Sequence, residues 1–290
     1  MRPSFTRRLA AALVLAGLAA GPAAAQNKPL VLAFVPQENP EKLLGDVRAI
    51  GAYLESAIGR PVKGYVTQDH AAAVEALEAG KADISFLGAL PYVIARARTG
   101  AVAVLSEVYR GRPSYAGAVF VRRDGGIADL AALKGRTIAF ADPISESGYL
   151  YPLDLFVAAG LLERRQDPKA FFGAVYFAGG YQQAIQAVAN GLVDAAGVSI
   201  YATLLLDPGQ RGEVIALAET PPIPSHVVIA RKGLDETLRA AFVDAMLALN
   251  EPANRHLLKH VYSPDGYVRP DHDAYESVAR MARAYGLIRP

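Results

Sequence analysis

One ten-residue pattern occurs twice in this chain. Val74-Glu-Ala-Leu77-Glu-Ala-Gly80-Lys-Ala-Asp83 matches Ile185-Gln-Ala-Val188-Ala-Asn-Gly191-Leu-Val-Asp194 at a constant offset. In each copy an apolar-faced helix is stopped by a glycine suited to a left-handed C-cap, and a strand opens shortly after an aspartate. A chain that builds the same unit in each half is constrained toward two similar lobes rather than one long sheet. The flanking periodicity agrees: strands are predicted at 30–35, 61–66, 82–87, 102–108 and 115–121, with helices between them. In the second half, strands at 137–141, 174–177, 193–198, 214–217 and 226–230 alternate with helices at 150–160 and 182–189, and mostly helix follows. The expected class is α/β with parallel sheets buried on both faces.

The N-terminus points to export. Arg2, Arg7 and Arg8 precede an apolar run over 9–20, and Ala23-Ala24-Ala25 precede Gln26. A basic start, a short apolar core and an A-x-A site predict a secretory signal peptide over residues 1–25, with a soluble periplasmic product. The three arginines also account for the positive charge, because 27 basic and 28 acidic residues remain after their removal. No basic patch interleaved with aromatics suggests a nucleic-acid partner. With no cysteine in the chain, disulfides, thiolate metal sites and a cysteine-linked lipid are excluded.

The stretch Asp142-Pro143-Ile144-Ser145-Glu146-Ser147-Gly148-Tyr149 lies between a predicted buried strand and the start of a predicted helix. Such a turn aims free backbone N–H groups at an anion, and Ser145 and Ser147 can add hydroxyl donors. Glu146 places a carboxylate where an anion is least welcome. Two readings stay open for it. It can face away from the cleft and stabilise the helix N-terminus, or it can line a pocket and meet a cationic part of a ligand. Enzyme signatures are lacking: no G-x-S-x-G, H-E-x-x-H or P-loop occurs. His256 and His260 alone share helical i, i+4 spacing, and a solvated face is the expectation for them rather than a metal site.

An ordered set of segments carries a family resemblance. Leu32-Ala-Phe-Val-Pro36 comes first, followed by Gly80-Lys-Ala-Asp-Ile-Ser-Phe-Leu-Gly88 with Pro91-Tyr92, then Ser114-Tyr115. Next come Leu133-Lys-Gly-Arg-Thr-Ile-Ala-Phe-Ala-Asp-Pro143, Ser145-Glu-Ser-Gly-Tyr-Leu150 with Pro152, Gly179-Gly-Tyr-Gln182 and Gln186-Ala-Val-Ala-Asn-Gly-Leu-Val-Asp194. In this order and spacing the chain resembles the periplasmic phosphate/phosphite/phosphonate-binding proteins of ABC importers, from about residue 30 to residue 232.

The resemblance implies a type II periplasmic binding fold, two similar α/β lobes joined by two hinge segments. The implied division is residues 26–117 with 222–290 as lobe one and 118–221 as lobe two. Glu219-Thr-Pro-Pro-Ile-Pro-Ser225 would be the return crossing. It also implies a non-enzymatic monomer without cofactor or metal, capturing a small polar ligand for an ABC permease in the inner membrane. The same fold can instead report its ligand state to a membrane signalling protein, or bind a non-phosphorus ligand or cation complex.

Carried over by position, the ligand residues are Ser145, Glu146, Ser147 and Gly148, with Tyr115, Tyr181, Tyr92 and Tyr149 as aromatic candidates. Gln182 and Ser199 are weaker polar ones. Asp194 matches a position that in amine-bearing phosphonate binders can face an ammonium group; its own repeat suggests a strand-start residue like Asp83. Two positions depart from the family pattern: Glu146 stands where the family has Thr, and Tyr181 where it has His. Both changes argue against plain phosphate as the ligand.

Overall fold

The computed structural model describes residues 28–36, 40–261, 263 and 265–289. The expected signal peptide over 1–25 lies outside them. Two sheets and a short ribbon between them organise the chain.

The first sheet contains β1 (Leu30–Phe34), β2 (Val62–Val66), β3 (Ile84–Leu87), β4 (Val102–Glu107), β12 (Val227–Ala230) and β13 (Tyr267–Val268), in the order β13-β4-β12-β3-β1-β2. One face is covered by α2 (His70–Glu78), α3 (Ala89–Thr99) and the C-terminal α7 (Glu276–Ala284). The other is covered by α1 (Pro40–Ile58) and α6 (Glu236–Leu247). The second sheet has the order β10-β6-β9-β7-β8, from β6 (Gly117–Arg122), β7 (Thr137–Phe140), β8 (Ala174–Phe177), β9 (Ala195–Ser199) and β10 (Val214–Glu219). Its faces are covered by α4 (Tyr151–Ala158) and α5 (Tyr181–Ala189). Apolar cores on both faces of both sheets agree with the near-continuous apolar strands of the sequence.

The sheets are not purely parallel, as periodicity alone suggested. β1 pairs in parallel with β2 and β3, and β7 with β8 and β9, but β12 runs antiparallel to β3 and β4, and β6 antiparallel to β9 and β10. The reason is the connection between the lobes. β5 (Ser114–Tyr115) and β11 (Ile223–Pro224) pair antiparallel outside both sheets, and each leads directly into a reversed strand, β6 or β12. A strand entering its sheet from the crossing must run away from the cleft, whereas β1, β3 and β7 run toward it. The predicted strand over 115–121 is accordingly broken at Ala116, between β5 and β6.

The duplicated sequence pattern is a duplicated structure. Gly80 and Gly191 follow α2 and α5 at φ +64° and +69°, the left-handed conformation a side chain disfavours. Asp83 Oδ2 accepts the Val31 N–H at the start of β1 (3.0 Å), and Asp194 Oδ2 accepts the Thr137 N–H at the start of β7 (2.8 Å). Each aspartate also meets an arginine, Arg231 Nε at 2.7 Å and Arg136 at 3.5 Å. Asp83 therefore ties the start of β3 to β1, and Asp194 ties the start of β9 to β7.

Candidate functional site

The loop after β7 folds as a π turn, Glu146–Leu150, running into α4. Pro152 explains the wide turn: lacking an N–H, it cannot bond the Gly148 carbonyl, which instead accepts the Ala141 N–H at 3.0 Å. The Ser145 Oγ caps the turn by accepting the Gly148 N–H at 3.0 Å. Ser145, Glu146 and Ser147 are all fully buried.

Glu146 does not face away from the cleft. Its Oε2 accepts the N–H of Leu90 at 3.1 Å, in the first turn of α3, and its Oε1 accepts the hydroxyl of Tyr115 at 2.8 Å. Loop and α3 belong to different sheets, so this one side chain spans the two lobes. A buried carboxylate is costly unless it is hydrogen-bonded and its charge balanced. Here a helix N-terminus, a hydroxyl and the imidazole of His226, 3.9 Å away, supply both.

His226 comes from the residue before β12, in lobe one. Its Nδ1 lies 3.0 Å from Glu107 Oε2 and its Nε2 lies 3.4 Å from the Tyr181 hydroxyl. Burial opposes the imidazolium, but the hydrogen bond and charge of Glu107 and the charge of Glu146 outweigh it and raise the pKa. Burial in turn raises Glu107, against the pull of His226. Ser147 Oγ joins Tyr181 (2.8 Å) to Tyr115 (3.0 Å). The Tyr115 hydroxyl reaches both Glu146 Oε1 and Ser147 Oγ, and the Tyr181 hydroxyl links Ser147 to His226 Nε2, so one chain of polar groups runs from the imidazole to the carboxylate.

Burial and the Glu146 charge push Tyr115 and Tyr181 well above the usual phenol range, so their protons stay in place as donors. Tyr201 encloses the cluster, 5.8 Å from the Tyr115 ring and 3.3 Å by its hydroxyl from His226 Nδ1. Tyr115 stacks on the imidazole at 5.1 Å. His70, the first residue of α2, is buried, and its Nδ1 has no hydrogen-bond partner among the described residues. Burial lowers its pKa despite the charges of Asp142 and Glu146, leaving a neutral ring within electrostatic reach of both.

The site thus gathers Ser145, Glu146, Ser147, Gly148, Tyr115 and Tyr181 from the sequence-derived candidates. It does not gather the other three. Tyr92 packs edge-on against Tyr275 inside lobe one (5.1 Å), and Tyr149 packs between Phe140 (5.0 Å) and Phe177 (5.1 Å) in lobe two. Asp194 is held at the start of β7, at the opposite end of that strand from the loop, by Thr137. Of the weaker pair, Ser199 accepts the Tyr201 N–H and Gln182 donates to the Leu205 carbonyl.

Sequence reasoning missed His226, Glu107, Tyr201 and His70. Only His226 carried a signal, as a lone histidine at the end of the proline-rich crossing. His256 and His260 lie on a 3-10 helix, where His260 meets Asp46 at 2.6 Å and His256 meets the Ala253 carbonyl. No metal-ligating cluster occurs among the described residues.

A family model described as "ABC transporter, phosphonate, periplasmic substrate-binding protein" matches residues 32–275, a span that reaches into both lobes and holds the whole cluster. The chain belongs to this family. A curated relative, the phosphate-import protein PhnD of Mycolicibacterium smegmatis, is 31% identical over 175 residues, covering 57% of this chain and 53% of the relative. The chain therefore matches about half of that relative's length. Among solved structures, PhnD1 of Prochlorococcus marinus in complex with methylphosphonate superposes with a TM-score of 0.78 at 18% identity, over 88% of this chain and 97% of that one. The binding protein component of an ABC phosphonate transporter from Pseudomonas aeruginosa gives 0.79 at 21% identity, over 88% and 86%. These likenesses make the fold of this family member a type II periplasmic binding fold, as the motif order implied.

Proposed function

We propose that this chain is the periplasmic ligand-capturing subunit of an ABC importer, which closes two lobes on a small polar ligand and presents the closed form to an inner-membrane permease. The observation that carries the reading is the family match over both lobes, with the loop–hinge cluster of Ser145, Ser147, Tyr115 and Tyr181 at their junction. Residues 26–117 with 222–290 move as one body and 118–221 as the other, a division supported by the β5–β11 ribbon between the two sheets. The protein acts as a monomer without cofactor, metal or nucleic-acid partner, exported by its N-terminal segment.

The ligand carries a positive group. Three acidic side chains, Glu107, Asp142 and Glu146, are buried at the site, and His226 is the one imidazole there held above its ordinary pKa. An amine-bearing phosphonate fits this balance better than the phosphate or methylphosphonate named for the relatives. Thermal-shift titration with an aminoalkylphosphonate, simple amines, methylphosphonate and inorganic phosphate tests the reading. A true ligand at a hundred times its Kd adds about 2.7 kcal/mol of stability. Stabilisation by methylphosphonate but not by its amine-bearing analogue would refute the assigned class.

A further inference from the structure

We infer that Glu146 is the site's own anion. Its carboxylate, carried by lobe two, occupies the start of α3 in lobe one, latches the lobes without a ligand and excludes doubly charged oxyanions that bring no positive group of their own. This takes the cleft to be the ligand site, as proposed above.

Three features support the assignment. The N-cap of α3 is Gly88, which has no side chain to cap the helix, and the acceptor that reaches the Leu90 N–H is a residue of the other lobe. Donors from two segments then converge on one carboxylate, Leu90 from α3 and Tyr115 from the crossing, with the His226 imidazole alongside. That is the environment in which a protein holds an oxyanion, and here a fully buried side chain fills it. Finally, a Cβ at Gly88 would overlap both Glu146 carboxylate oxygens, so the missing side chain is what admits the carboxylate to the helix start.

Two consequences follow. Burial of Glu146 is satisfied only while lobe one lies against lobe two, because opening removes the Leu90 donor and His226 together. An entering dianion without a positive group of its own would also meet an uncompensated like charge at close range, at a cost of about a hundredfold or more in affinity.

The test compares wild type, Glu146→Thr and Gly88→Ala, each freed of small molecules by unfolding and refolding. Small-angle scattering without ligand reads closure, and calorimetric titration with inorganic phosphate and methylphosphonate reads exclusion. Wild type should scatter as the compact form and bind neither probe measurably. Glu146→Thr should expand and gain about a hundredfold or more for methylphosphonate. Gly88→Ala keeps the charge but evicts it from α3, so it should expand without that gain. An expanded wild type, a compact Gly88→Ala or equal affinity in wild type and Glu146→Thr would overturn the inference. If Glu146→Thr does not refold, the scattering of Gly88→Ala and the wild-type titration decide it. A compact wild type that rejects both probes and every amine-bearing ligand keeps this inference and removes the assigned ligand class.

Discussion

Asp83 and Glu146 are both buried carboxylates that accept a backbone N–H, yet they do opposite things. Asp83 finds Val31 and Arg231 within its own lobe, and Asp194 finds Thr137 and Arg136 within the other. Their satisfaction is independent of how the lobes sit, so they are architecture. Glu146 finds its Leu90 donor only across the cleft, which couples the cost of its burial to closure. The location of the partner, rather than residue type or depth, separates the structural acid from the functional one.

The comparison can be broken most severely at Asp83. Asp83→Ala leaves the Val31 N–H and Arg231 without their acceptor and should cost about 3 kcal/mol in denaturant unfolding. Its scattering profile should match wild type; an expanded profile would erase the distinction. Asp194→Ala should behave alike with a smaller loss of about 1–2 kcal/mol, because Asp194 is partly exposed and its arginine more distant.

Tyr115→Phe removes one of the two hydrogen bonds that hold Glu146. A loss of about 2 kcal/mol is expected, and here the scattering should shift toward the open form.

Histidines sharpen the comparison through pH. The raised pKa of His226 means that its contribution is fully present below about pH 6.5, its unfolded value, and is lost as pH rises through the folded one. The lowered pKa of His70 means the reverse: stability is lost as pH falls below 6.5, because the buried ring resists the proton that the unfolded chain accepts. His226→Asn should therefore flatten the alkaline limb of the stability profile and His70→Asn the acid limb, as read by denaturant unfolding across pH. Unchanged limbs would remove both histidines from the balance around Glu146. Smallest of all, Tyr92→Phe and Tyr149→Phe should leave ligand affinity within about 0.5 kcal/mol of wild type by calorimetry, since both rings serve lobe cores.

Much of this was legible in the chain itself. The repeat around Gly80 and Gly191 foretold two like units, and the Asp83–Asp194 correspondence foretold a shared strand-start role, because both are local patterns. Ser145, Ser147 and Tyr181 were legible as hydroxyls at helix starts. The direction of Glu146 was not, since its Leu90 partner lies 56 residues away in another lobe. His226, Glu107, Tyr201 and His70 arrive from four separate segments, and no spacing rule joins them. The reversed strands β6 and β12 were hidden for a related reason: an apolar strand reads the same in either direction, and only the crossing at β5 and β11 sets its sense.

Because the chain has no cysteine, one introduced in each lobe can carry a spin label at a unique position. Pulsed dipolar spectroscopy on ligand-free protein then measures the interlobe distance directly. A single short distance in wild type that becomes longer and broader in Glu146→Ala is the predicted result. A ligand-free wild type already at the long distance, with no change on substitution, would contradict the claim that Glu146 closes the lobes.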